Sequence, residues 1–250
     1  MNRFLTKSLG QIALCGATLA LLSGCGNKSG GGSGAGTGQQ AGGVAPPAPV
    51  AEIAGNYSIR GTNPGGGSPY TGTLIITKRD KVYQFSWKSG GQGYDGVGVQ
   101  TDNTVGVAFA NGSDGKGCSV VHYKIDASGA LSGRWGSWGE NGSGTESATR
   151  NGGAGGLDGT YSVTGSRMDG AAYKGNLTVS AQGAGFLFSW ATGDSSQGFG
   201  IRKGSYVSVG IGGEQCGFVA YEIKPDGSLE GQWSSFKSKS IGTEVATKTK

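Results

Sequence analysis

The stretch GNYSIRG at residues 55–61 returns as GTYSVTG at residues 159–165, and this duplication decides the architecture. A second segment, GALSGRW at 129–135, returns in the same order as GSLEGQW at 227–233. About a third of the aligned positions are identical and the gaps are short, which chance does not produce. The folded part of the chain is therefore predicted to contain two copies of one domain.

Each copy is predicted to form eight short strands separated by turn-forming residues. Val121, Tyr123 and Ile125 alternate with polar neighbours, which indicates a strand with one buried face. Turn sequences such as NPGG at 63–66 and NG at 111–112 separate the strands. In the first copy the strands are expected near 55–61, 70–77, 82–88, 94–100, 104–110, 118–125, 130–135 and 144–150.

Eight antiparallel strands joined by short turns tend to close into a barrel, because closure removes exposed sheet edges. We therefore predict an all-β protein with two tandem eight-stranded antiparallel meander barrels, of avidin-like or lipocalin-like architecture, after a disordered tether. The predicted organisation is a signal peptide at 1–24, a lipidated cysteine and Gly/Ser/Pro-rich tether at 25–53, a first barrel at 54–150, a Gly-rich linker at 151–156, and a second barrel at 157–250.

The N-terminus is predicted to be a lipoprotein export signal. Arg3 and Lys7 precede a mostly apolar segment, residues 9–22, that is too short to span a bilayer well. The sequence LSGC at 22–25 resembles the lipobox of bacterial lipoproteins, which implies acylation of Cys25 with chains such as palmitate. The resemblance also implies a cell-envelope location, and Gly26 in place of an aspartate favours the outer membrane.

Composition narrows the classes of function. The chain has 54 glycines and a net charge of +5, and its basic residues are scattered. Because no Lys/Arg cluster has aromatic residues interleaved with it, nucleic acid is not an expected partner. The expected partners are the membrane, through the N-terminal lipid, and an unknown protein or small ligand.

Catalytic and metal chemistry is not expected. His122 is the only histidine, its counterpart in the second copy is Ala220, and it is predicted to be a solvated or hydrogen-bonded surface residue. No His/Cys cluster has the spacing of a metal site. Glu146 and Glu244 are equivalent, and each is expected to be a hydrogen-bond partner, since glycosidase chemistry needs two carboxylates at a set separation. We predict no enzyme activity, no cofactor and no metal.

Cys118 and Cys216 lie at equivalent positions of the two copies. Three interpretations stay open: two small buried apolar residues, a disulfide that bridges the copies, or reactive thiols. The third is the least expected, because no recognisable motif indicates a partner that would lower the pKa of either thiol.

Large aromatic residues are the candidate binding residues, and most of them recur in both copies. They belong either to a barrel core or to an aromatic-lined pocket or interface. Trp138 and its counterpart Phe236 follow predicted strand ends, where they would be loop contact residues or would pack over a barrel mouth. The candidates are Trp87, Trp135, Trp138, Trp190, Trp233 and Phe236.

Two motifs carry a family resemblance. The pattern GxYxIxGxNPxGxxxYxG at 55–72 and the pattern YxIxPDGxLxGxW at 221–233 resemble a family of small exported bacterial β-barrel proteins. Some of its members are labelled fibronectin-binding, so the resemblance implies a binding role and offers no catalytic motif.

Two functions are therefore expected from the sequence. The first is a membrane-anchored binding module for a macromolecular, fibronectin-like ligand, in which duplication raises apparent affinity by effective concentration. The alternative is a small-ligand carrier with a pocket inside each barrel.

Overall fold

The computed structural model describes residues 50–152, 155–238 and 240–249; the predicted signal peptide, Cys25 and nearly all of the tether lie outside these ranges. Within them, no helix is long and apolar enough to cross a membrane. The strands are β1 Gly55–Thr62, β2 Pro69–Arg79, β3 Val82–Ser89, β4 Gln92–Thr101, β5 Thr104–Asn111, β6 Ser119–Ile125, β7 Leu131–Ser137, β8 Gly144–Arg150, β9 Gly159–Ser166, β10 Ala172–Gln182, β11 Gly185–Thr192, β12 Asp194–Lys203, β13 Tyr206–Ile211, β14 Cys216–Ile223, β15 Leu229–Ser235 and β16 Gly242–Lys248.

The strands form two closed, eight-stranded antiparallel barrels, which confirms the predicted fold class. The barrels do not coincide with the sequence repeats, however. The first barrel consists of β1–β5 closed by β14–β16, and the second barrel consists of β6–β13. The assignment of residues 54–150 to one barrel and 157–250 to the other is therefore wrong, because the two repeats exchange their last three strands.

The exchange preserves the pairing that a single repeat would use. Val107 of β5 lies opposite Val219 of β14, and Val209 of β13 lies opposite Val121 of β6. Since Val121 and Val219 are equivalent residues of the two copies, β5 meets the same side chain at this position whichever copy supplies the next strand. The pairing at these residues would be the same in exchanged and unexchanged barrels. The sequence pattern therefore does not predict the exchange.

One end of each barrel is closed by an apolar residue just before a strand: Ile53 before β1 in the first barrel and Leu157 before β9 in the second. The Tyr57 hydroxyl donates a hydrogen bond of 2.7 Å to the Ile53 carbonyl, and the Tyr161 hydroxyl donates one of 2.7 Å to the Leu157 carbonyl. Ile53 is buried in the core of the first barrel. The boundary that assigned residue 53 to the tether therefore needs correction, because its side chain is part of the core.

The two barrels pack against each other through apolar clusters outside both barrel cores. The smaller cluster comprises Phe199, Ile201, Phe218 and Ala220, with Phe236 and Ile241 beside it. The larger comprises Val82, Val97, Val99, Ala108, Ala110, Cys118, Val120 and Cys216, with Trp138 beside it. As a result, β5 is buried on both faces over most of its length, and β4 is buried on both faces from Asp95 to Val99.

A disulfide joins the two connections that cross between the barrels. Cys118 directly precedes β6, Cys216 is the first residue of β14, and the two Cα atoms lie 5.9 Å apart. Of the three interpretations left open by the sequence, the structure has the disulfide that bridges the repeats. It links the chain where the first repeat enters the second barrel to the chain where the second repeat enters the first barrel.

Replacing both cysteines by serine (C118S/C216S) should lower the free energy of unfolding by about 3 kcal/mol, because the bridge restricts the unfolded chain over a long loop. The two residues are 98 positions apart. Urea unfolding followed by tryptophan fluorescence measures the change. Wild-type protein reduced with dithiothreitol should match the double variant, and an unchanged midpoint in both would contradict a stabilising bridge.

Candidate functional site

A cavity of about 240 Å³ opens at the end of the first barrel opposite Ile53. It lies where β1, β3 and β5 end, so its lining comes from the strand ends and the turns beside them. We call it the first cavity; its lining residues are Ile59, Asn63, Tyr70, Trp87, Ser89, Gly90, Gln92, Tyr94, Phe109, Val219, Trp233 and Glu244.

Glu244 of β16 lies at the base of this cavity and is only 5% exposed. Its Oε1 atom accepts a hydrogen bond of 3.0 Å from Trp87 Nε1 and another from the Tyr221 hydroxyl. Its Oε2 atom accepts one of 2.8 Å from the Tyr70 hydroxyl. Because Tyr70 and Trp87 belong to the first repeat and Glu244 to the second, the site combines residues of both repeats.

Burial controls the ionisation of this network. It raises the pKa of Glu244, although the three hydrogen-bond donors act in the opposite direction. Burial, together with the adjacent Glu244 charge, raises the pKa of Tyr70 and Tyr221 well above the usual tyrosine range. Both phenols therefore stay protonated at neutral pH and can serve as permanent donors.

A continuous group of aromatic rings forms the wall above Glu244. The ring centroid of Phe109 lies 5.4 Å from that of Trp87, 6.0 Å from that of Tyr94 and 6.1 Å from that of Trp233. Tyr70 meets Trp233 edge to face at 6.2 Å. These spacings are those of interacting aromatic pairs, so the wall is pre-formed.

The second barrel has a cavity of about 190 Å³ at the equivalent end, with the same base. Glu146 accepts hydrogen bonds from the Tyr123 hydroxyl, from the Tyr173 hydroxyl at 2.8 Å and from Trp190 Nε1 at 2.9 Å. The carboxylate with three donors is thus a duplicated feature of the fold. We call this space the second cavity.

The walls of the two cavities differ. Ser196 and Ile211 of the second cavity occupy the positions that Tyr94 and Phe109 hold in the first. Arg167 follows β9 as Asn63 follows β1, and its guanidinium carbon lies 5.8 Å from the centroid of the Tyr173 ring. The second cavity therefore contains a cation of the chain itself and has lost two aromatic rings.

The structure divides the six predicted binding aromatics into three pairs. Trp87 and Trp233 line the first cavity, and Trp135 and Trp190 line the second. Trp138 and Phe236 instead pack into the clusters between the barrels. Both rings are partly buried against the adjacent barrel, so the expected position over a barrel mouth needs correction, whereas a role as contact residues stays a prediction.

Tyr94, Phe109 and Asn63 were not predicted as site residues. All three differ from their counterparts Ser196, Ile211 and Arg167, whereas most of the predicted aromatic residues recur in both copies. A position-by-position comparison for differences at equivalent strand ends would have found them.

His122 is buried between the barrels, so the prediction of a surface histidine is wrong. It is 1% exposed, its Nε2 lies 2.8 Å from Thr104 Oγ1, and its Nδ1 lies 2.9 Å from Ser208 Oγ. The Thr104 hydroxyl donates to the Thr101 carbonyl at 2.8 Å, so it accepts from Nε2–H, and Nδ1 accepts from Ser208. The ring is therefore a neutral hydrogen-bonded packing residue.

Gly106 of β5 provides the space for this ring, since a Cβ atom there would lie 2.8 Å from His122 Nδ1. Gly106 lies opposite Ala220, whereas its counterpart Ser208 lies opposite His122. The larger pair, His122 and Ser208, therefore packs against the smaller pair, Gly106 and Ala220, across the interface between the barrels.

The stability of the protein should fall as the pH falls from 6.5 to 4. Burial lowers the pKa of His122 from 6.5 to about 4. In this range the unfolded chain binds a proton at His122 and the folded chain does not, so this histidine costs about 3 kcal/mol of stability at the acid end. Urea unfolding of wild type and H122A at several pH values measures the effect. The wild-type advantage should shrink toward acid pH, and a constant difference would contradict a neutral buried ring.

No protein-family model, curated protein or solved structure matched the chain. In the three described ranges, no group of three or more His, Cys, Asp and Glu residues could hold a metal ion.

Proposed function

We propose that this chain is a small-ligand-binding protein whose ligand occupies the first cavity. One observation carries the proposal: a cavity of about 240 Å³ with an aromatic wall ends on a buried, hydrogen-bonded carboxylate. Pockets that bind small molecules combine mainly apolar and aromatic walls with a few fixed polar groups. The Glu244 network supplies those polar groups, and strands on opposite sides of the barrel hold them in place.

Non-catalytic binding is the role that this chemistry supports. Glu244 is held by three donors, and the lining that the structure describes contains no second carboxyl group and no histidine or lysine. General acid–base chemistry of the glycosidase type requires a second carboxylate at a set distance.

The same proposal includes a location in the bacterial cell envelope, which the lipobox-like sequence at 22–25 supports. Under this proposal, Cys25 carries the lipid and the tether holds the barrels off the membrane. Gly26 in place of an aspartate favours the outer membrane. Growth with an alkyne-labelled palmitate analogue should label the wild-type chain and leave C25A unlabelled. Equal labelling of the two would contradict lipidation at Cys25.

Macromolecular binding, the first expectation from the sequence, has less support than a small ligand. Its aromatic contact residues, Trp138 and Phe236, pack between the barrels. Binding of a fibronectin-like partner stays a prediction, which immobilised fibronectin would test directly.

The apolar fluorophore N-phenyl-1-naphthylamine tests the proposal. Its emission should rise and saturate at one molecule per chain when it is titrated into protein lacking residues 1–25. In S89W, a new indole at the end of β3 should fill the first cavity and abolish the signal, since Ser89 lines that cavity.

The matched control is T192W, which makes the equivalent change at the second cavity. T192W should bind the fluorophore as wild type does. No saturable emission in wild type, or loss of the signal in T192W with retention in S89W, would contradict the proposed site.

A further inference from the structure

We infer that the first cavity binds a small organic cation of the alkylammonium class, with its charge between the aromatic wall and Glu244. This inference rests on the proposed function, because it names the ligand class of the same cavity. Three features carry it: the charge of the lining, the arrangement of the rings, and the contrast with the second cavity.

The charge of the lining favours a cation. Glu244 is the single charged side chain among the lining residues that the structure describes for this cavity. Its Oε2 atom accepts one hydrogen bond, from Tyr70, whereas a carboxylate oxygen can accept two. An ammonium group entering the cavity would therefore meet a buried carboxylate with an unused acceptor position and no competing cation.

The rings provide a second attraction for the same charge. Trp87, Tyr94, Phe109 and Trp233 stand around the cavity with neighbouring centroids 5.4–6.1 Å apart. Aromatic faces attract cations electrostatically, most strongly where water is excluded, and groups of such rings recognise methylated ammonium ions. Their methyl groups also fill apolar space that a hydrated metal ion would leave empty.

In the second cavity, the chain itself supplies a cation, the guanidinium of Arg167. There Arg167 lies 5.8 Å from the centroid of the Tyr173 ring, and Tyr173 donates to Glu146. In the same cavity the residues equivalent to Tyr94 and Phe109 are not aromatic. The second barrel therefore places an arginine of the chain over the tyrosine that donates to its carboxylate, whereas the first barrel leaves its carboxylate beside an open aromatic wall.

Calorimetric titration with choline and with its neutral isostere 3,3-dimethylbutan-1-ol tests the inference. The two molecules have the same shape and differ in charge, so shape alone would give equal affinities. We expect choline to saturate one site per chain and the alcohol to bind at least about 10-fold more weakly.

The variant N63R transfers the arginine of the second cavity to the first. Its guanidinium should lie over Tyr70 as that of Arg167 lies over Tyr173, and choline binding should be lost. The second cavity already accommodates this arginine, so the fold should tolerate the change, which circular dichroism will verify. The control N103R adds the same charge at an exposed turn at the opposite end of the first barrel and should bind choline as wild type does.

The outcomes separate this inference from the proposed function. If choline fails to saturate, or if the alcohol matches it, while N-phenyl-1-naphthylamine still binds and S89W abolishes that binding, the cation class is wrong and the cavity remains a ligand site. If neither choline nor the fluorophore binds, both proposals fail. Undiminished choline binding by N63R would also overturn the assignment to the first cavity.

Discussion

Neither repeat produced alone, as residues 50–152 or as residues 155–249, should give a soluble monomeric barrel. In the full chain, the last three strands of each repeat close the barrel of the other. A lone repeat has two ways to pair its fifth strand: with its own sixth strand, or with that of a second copy. We expect the second outcome, an exchanged dimer, or else aggregation.

The reason is the apolar surface between the barrels. Val99, Ala108 and Val120 each have 0% exposure and belong to the cluster that the adjacent barrel covers. A lone closed barrel would expose this cluster to water, at a cost of roughly 25 cal/mol for each Å² uncovered. Exposed patches of this kind drive association.

Size-exclusion chromatography with light scattering measures the outcome. The two-repeat chain without residues 1–25 is the control and should elute as a monomer. Each single repeat should elute with twice its own mass or be recovered as aggregate. A monodisperse single repeat that unfolds cooperatively as a monomer would contradict the exchange as a requirement of the fold.

Substitution of the carboxylate at the base of the first cavity should produce the largest effect of any single side-chain change. E244A removes the acceptor of Trp87, Tyr70 and Tyr221. It leaves Trp87 and Tyr221 without a partner, and leaves Tyr70 with only a long contact of 3.5 Å to the Thr243 carbonyl. Each unsatisfied buried donor costs about 1–3 kcal/mol, so we expect a loss of about 4 kcal/mol after partial hydration through the cavity. E244Q should cost less, since its remaining oxygen can accept from Trp87 and Tyr221.

Urea unfolding of E244A, E244Q and the matched variant E146A measures these losses. E146A should resemble E244A, because Glu146 accepts the equivalent three bonds in the second barrel. E230A serves as the control: Glu230 forms an ion pair at 3.1 Å with Lys224, with half of its side chain exposed, and such pairs contribute little. An E244A stability no different from that of E230A would contradict a structural network at the cavity base.

Much of the fold followed from the sequence, because period-two alternation and turn residues are local signals. The predicted strand near 104–110 is β5 at Thr104–Asn111, and that near 144–150 is β8 at Gly144–Arg150. The exchange did not follow, since Val121 and Val219 are equivalent partners and local pattern cannot choose between them. Which strand closes which barrel depends on contacts between residues far apart in sequence, such as that of His122 with Ser208, and period-two alternation does not encode these.

The candidate site was predicted in part. Trp87 and Trp233 were selected as candidate aromatics, and Glu244 was expected to be a hydrogen-bond partner, as it is. Tyr94 and Phe109 were not predicted, because recurrence in both repeats indicated most of the candidate aromatics and neither of these two rings recurs. In a duplicated domain, equivalent residues report the fold, and the differences between copies report where one copy has specialised.

The five tryptophan indole N–H signals of the ¹⁵N-labelled chain show whether the first cavity, and not the second, binds a small ligand. On titration with choline, the signals of Trp87 and Trp233 should move and saturate together. The signals of Trp135, Trp138 and Trp190 should stay in place. Movement of the Trp135 and Trp190 signals instead, or of none of the five with either choline or N-phenyl-1-naphthylamine, would contradict ligand binding in the first cavity.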